Sequence, residues 1–87
     1  MMDSYLNEQA VDAIFEPTTG LLQRYSRFAD EDELEAAKVR VDQLQQALRL
    51  ARSQSDIYEA YRTREALRKL NQELQENITV YKRQKLF

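Results

Sequence analysis

The chain has no cysteine and no histidine, and only one glycine and one proline among its 87 residues. Without cysteine there is neither a disulfide nor a thiolate metal site. Without histidine, the most frequent general base and the commonest zinc ligand are missing. The lack of cysteine fits a reducing compartment. So few Gly and Pro residues leave little material for turns, and sheets need turns. No stretch approaches the roughly 20 apolar residues of a membrane span. The opening MMDSYLNEQA is acidic and polar, without the basic region and apolar core of a Sec-type signal peptide. The expectation is a soluble, cytoplasmic protein with no membrane contact. No Gly-rich phosphate loop is present, and a few helices leave little room for the pocket that paired catalytic carboxylates require. The sequence is therefore read as non-catalytic, with no cofactor and no metal.

What is present is a helical composition. Charged residues make up 32% of the chain, mean hydropathy is -0.74, and Ala, Leu, Glu, Gln and Arg are abundant. The length allows one domain, residues 1–87. A chain this short buries only about 60% of the surface its unfolded form exposes, and oligomerisation is a common remedy. Net charge is -2 but unevenly spread: residues 1–35 hold nine acids and two bases, residues 36–56 four bases and two acids, and residues 57–87 seven bases and four acids.

Four helical segments are expected. The first, SYLNEQAVDAIFE, is capped by Asp3 or Ser4. Leu6, Ala10, Ala13 and Ile14 share one of its faces, with Val11 and Phe15 beside it. Pro17 should stop it, because the residue before proline is biased away from helix. PTTG then reads as a turn, with Thr18 or Thr19 capping a second short helix, LLQRYSRFA. From Phe28 to Leu34 the apolar stripe swings by about 240° at 100° per residue, which predicts a break near Asp30. The third helix starts there. Asp30 with Glu33 makes a capping-box pattern, and Asp30, Glu31, Asp32, Glu33 and Glu35 crowd the positive end of the helix dipole. They read as a solvated cap and not as a calcium loop, which needs a glycine. Leu34, Ala37, Val41, Leu44, Leu48 and Ala51 follow as a heptad seam. The fourth helix carries Leu67, Leu70, Leu74, Ile78 and Tyr81, preceded by Ile57, Ala60 and Tyr61, with Glu65 placed to pair with Lys69.

Between these seams lies ARSQSDIYEAY, Ala51 to Tyr61, with neither Gly nor Pro. Continued as a rod, the seam would place Ser55, Tyr58 and Arg62 in its core. Asp56 followed by Glu59 repeats the capping pattern, so the chain is expected to turn within RSQSD. The expected fold is all-α: an antiparallel, coiled-coil-like helical hairpin over residues 30–87, with one or two short N-terminal helices within residues 1–29. In it Leu34, Val41, Leu44 and Leu48 pack on Leu67, Leu70, Leu74 and Ile78, with Tyr81 at the end of the stripe.

A lone helical pair leaves apolar surface uncovered. A homo-oligomer, a protein partner, or both are therefore expected. Tyr25, Phe28, Tyr58 and Tyr61 are candidate anchors, because tyrosine pairs a rigid body with a polar tip. Asp30, Glu31, Asp32 and Glu33 would steer toward a basic partner surface. Arg62, Arg68, Lys82, Arg83 and Lys85 form a weaker nucleic-acid candidate. Arg62 and Arg64 fall on different faces and the net charge is negative, so nucleic acid is the less favoured partner. The stretch Tyr61 to Lys82, through Leu70, Gln75, Asn77, Thr79, Val80, Tyr81 and Lys82, resembles the C-terminal helix of type III secretion needle subunits. That resemblance implies a helical hairpin that polymerises. It covers about a quarter of the chain, which lacks the proline those subunits carry in their turn, and the N-terminal segment does not match. The leading expectation is a small adaptor, inhibitor or chaperone-like protein; a self-assembling subunit and a nucleic-acid-binding regulator are the alternatives.

Overall fold

The computed structural model describes residues 8–85, with side chains described from residue 11 to residue 84. Three helices follow in order: α1 Glu8–Tyr25, α2 Glu31–Ser53 and α3 Ile57–Lys85. No strand occurs among the described residues, and none of these helices is long and apolar enough to cross a membrane. The expected caps Asp3 and Ser4, with Leu6, lie outside them.

The N-terminal expectation is corrected. The two short helices are one, and Pro17 lies inside it. Thr18 and Thr19 cap nothing: Thr18 is fully buried and Thr19 donates to the Phe15 carbonyl at 3.2 Å. Pro17 lacks an N–H and crowds the carbonyl four residues back, that of Ala13. Ala13 and Pro17 are both exposed, on the outer side of α1, where water can satisfy that carbonyl. The inner side is undisturbed. Val11, Phe15, Thr18, Leu22 and Tyr25 run through it at spacings of four and three, so the packing stripe crosses the proline without changing face. Ala13 is not on the packed face. After Tyr25 the chain loosens through Ser26–Ala29, as expected before Asp30.

The start of α2 is as expected. Asp30 is its N-cap, accepting from the Glu33 amide at 2.8 Å. The other end answers the question of the missing glycine. Ser55 takes a left-handed backbone, φ 54°. Its N–H donates to the Arg52 carbonyl at 3.1 Å, and that of Asp56 donates to Ala51 at 2.8 Å. These two bonds form a Schellman motif with serine where glycine is usual. Asp56 then caps α3, accepting from the Glu59 amide at 3.0 Å. One residue thus closes α2 and opens α3.

The helices pack against each other in two connected clusters. Val11, Phe15, Val41, Leu44, Leu48 and Leu67 form one, nearer the turn. Tyr25, Leu74 and Ile78 form the other, with Leu34, Phe28 and Tyr81 against it. Half-buried Leu22 and Leu70 belong to both. Glu33, in the first turn of α2, meets Tyr81 near the end of α3. α1 lies against both. The molecule measures 54 × 21 × 18 Å. A polar contact also crosses the interior: buried Thr18 donates to Asn71 Oδ1 of α3 at 2.6 Å.

Candidate protein-contact surfaces

Each seam residue named from the sequence reaches the interior or its margin. Val41, Leu44, Leu48, Leu67, Leu74 and Ile78 are buried; Leu34, Leu70 and Tyr81 are half-buried against them. The early stripe of α3 is corrected. Ile57 and Tyr61 are not on the packed face; Ala60 and Thr63 are, with Thr63 buried and its hydroxyl donating to the Glu59 carbonyl at 2.8 Å. Counting back from Leu67 by four and three gives Thr63 and Ala60, so the spacing, and not side-chain size, carries the signal. The expected Glu65–Lys69 pair is replaced by Glu65 with Arg68, at 3.1 Å.

The four aromatic candidates separate. Tyr25 is buried and Phe28 half-buried. Phe28 stacks on Tyr81 with ring centres 6.2 Å apart and planes at 4°, and Tyr25 tilts against the same ring at 6.3 Å. These rings hold the end of α1 on α3. The Tyr81 hydroxyl donates to Glu33 Oε2 at 2.8 Å. That bond and partial burial, with the carboxylate's charge, push the phenol up to about 12. Burial first, then the charges of Glu33 and Asp30, raises the Tyr25 phenol. Of the acidic run, Asp30 is thus spent on the cap and Glu33 on Tyr81, while Glu31 and Asp32 are exposed at the surface.

Tyr58 and Tyr61 are different: they are 70% and 63% exposed, beside Ile57 at 84%, in the first turns of α3. The Arg62 guanidinium lies 5.8 Å from the Tyr58 ring centre and is paired with Glu59 at 3.2 Å. From Tyr61 an open groove of ≈ 400 Å³ runs along the α2–α3 seam, with Ala66 and Leu70 in it and Arg40, Arg62, Lys69, Glu65 and Glu73 around it. Arg64 and Arg68 line a second hollow, with Tyr61 and Glu65 common to both. The two tyrosines form a surface that no described part of the chain covers. Of the weaker nucleic-acid candidates, Arg62 and Arg68 are tied to neighbouring glutamates, Lys82 and Arg83 are exposed, and the side chain of Lys85 lies outside the described residues. No family model, no curated protein and no solved structure matches this chain.

Proposed function

We propose that the protein is a non-catalytic contact module, an adaptor, inhibitor or chaperone-like protein that docks a protein partner through α3 and the α2–α3 groove. In this reading α2 and α3 act as an antiparallel, coiled-coil-like hairpin braced by α1. The observation that carries it is the exposed cluster of Ile57, Tyr58 and Tyr61. Large apolar side chains gathered on a surface mark a contact site more often than single exposed ones do. Tyrosine loses little side-chain freedom on docking and keeps a polar tip at the rim. The groove beside Tyr61 is open to solvent, which suits a helix laid along it rather than an enclosed small molecule.

The test is a triple variant, I57S/Y58S/Y61S. All three side chains are largely exposed, so each substitution should change stability by about 0.5 kcal/mol or less, and the triple variant should stay folded in urea titrations. Proteins that co-purify with the parent chain from its source cells should be lost with the variant. A variant that retains the same co-purifying proteins, or a parent chain that holds none, would remove the reading.

A further inference from the structure

At the end of the molecule away from the turn lies an open cleft of ≈ 480 Å³ between α1 and α3. Arg24 and Arg27 of the α1 end and Lys82 of α3 line it, around Phe28, and no acid does. All three cations are exposed, and none forms an ion pair among the described residues. The same end displays Glu31, Asp32 and Glu35 in the first turns of α2, also exposed and also without an ion pair there. The chain therefore holds both members of a complementary pair and joins neither to the other.

We propose that the occupant of this cleft is the acidic start of α2 from a second copy, related by a two-fold axis. In such an isologous contact each copy gives its acids to the partner's cleft and receives the partner's acids in its own. Charge complementarity selects this occupant: every charged side chain that lines the cleft is basic, and the start of α2 displays Glu31, Asp32 and Glu35 at the same end, exposed and without an ion pair among the described residues. Phe28 supplies an apolar wall against which the stems of the acidic side chains can lie. An end only 21 × 18 Å in section cannot bury the roughly 1,200 Å² of a strong interface. The pair is therefore weak and salt-sensitive. The inference rests on the reading of the protein as a contact module but uses the end opposite Tyr58 and Tyr61, so its failure leaves that reading standing.

The experiment is light scattering after size exclusion at about 100 µM protein, in about 50 mM and about 500 mM salt. The parent mass should rise above 10.3 kDa at low salt, no further than twice that value, and fall to 10.3 kDa at high salt. Two charge reversals follow, R24E/R27E and E31K/D32K, each checked for helicity by circular dichroism. Each alone should stay near 10.3 kDa, and their equimolar mixture should rise above that mass at low salt, because the reversed residues of each variant again face opposite charges on the other. If R24E/R27E loses helicity, K82E reads the same cleft from α3. A parent that is monomeric at low salt, folded variants that still pair with themselves, or a mixture of folded variants that stays monomeric would each overturn the proposal. So would a mass that grows without limit with concentration, which would mean head-to-tail contacts, or a monomer whose cleft instead binds duplex DNA at low salt.

Discussion

At the scale of single residues, polar groups fix how the helices meet. Thr18 is fully buried in an otherwise apolar stripe, and its hydroxyl is satisfied by Asn71 alone across the α1–α3 contact. A buried hydroxyl without a partner costs about 1–3 kcal/mol, so this bond discourages sliding of α1 along α3. Tyr81 is the counterpart at the other cluster, tying α3 to the first turn of α2 through Glu33. Its ionisation removes the donor and places two negative charges together. The phenol is held up to about 12, from an ordinary 10. The contribution to stability is therefore present in full below pH 10 and is lost as pH rises toward 12. Tyrosinate absorbance reads this directly, free of lysines that titrate in the same range. The latest-ionising phase should vanish in Tyr81→Phe and move down toward pH 10 in Glu33→Gln, where the charge is gone. A latest phase unchanged in both variants would remove Glu33 as the cause.

At the scale of elements, α2 and α3 were legible because each carries three agreeing signals: an aspartate cap, at least one acid in the first turn and an apolar seam at spacings of three and four. α1 was not, because two local breakers outweighed a long-range pattern. Pro17 and Gly20 read as punctuation, yet Val11, Phe15, Thr18, Leu22 and Tyr25 keep one face across them. Tertiary packing on that face overrides the local preference. The glycine in fact stands where its freedom is not used and is absent where it would be. A Cβ at Gly20 would meet nothing within 4 Å, so Gly20→Ala should stabilise by about 0.5–1 kcal/mol. Ser55 holds φ 54° in the Schellman turn, a conformation costly for a side-chain-bearing residue, so Ser55→Gly should also stabilise, by about 0.5–1 kcal/mol. Both are read as shifts of the urea midpoint at constant slope. The aromatic surface was half legible for a similar reason. Tyr58 and Tyr61 fall off the seam that Thr63 and Leu67 define, whereas Tyr25 and Phe28 were assigned to a helix that ended in the wrong place.

At the scale of the whole molecule, the interior is small and its two clusters meet through shared side chains. Leu22 and Leu70 contribute to both, so the turn end and the far end are mechanically joined. Phe15 has the leading part in the first cluster: it is 1% exposed and packs among residues of α2 and α3 at once. Phe15→Ala should cost about 3–5 kcal/mol, against a total stability of about 4–13 kcal/mol for a chain of this length. The variant is thus expected to keep a much smaller margin of stability, and to lose α2 and α3 together with α1 when it unfolds, because the pair would keep an uncovered stripe. Far-ultraviolet circular dichroism in urea separates the two ways it can fail. A lower midpoint with an unchanged slope means that the three helices unfold as one unit. A shallower slope, with much of the helicity surviving, would mean that α1 detaches alone and that α2 and α3 stand without it, which would argue against the shared role given to Leu22 and Leu70.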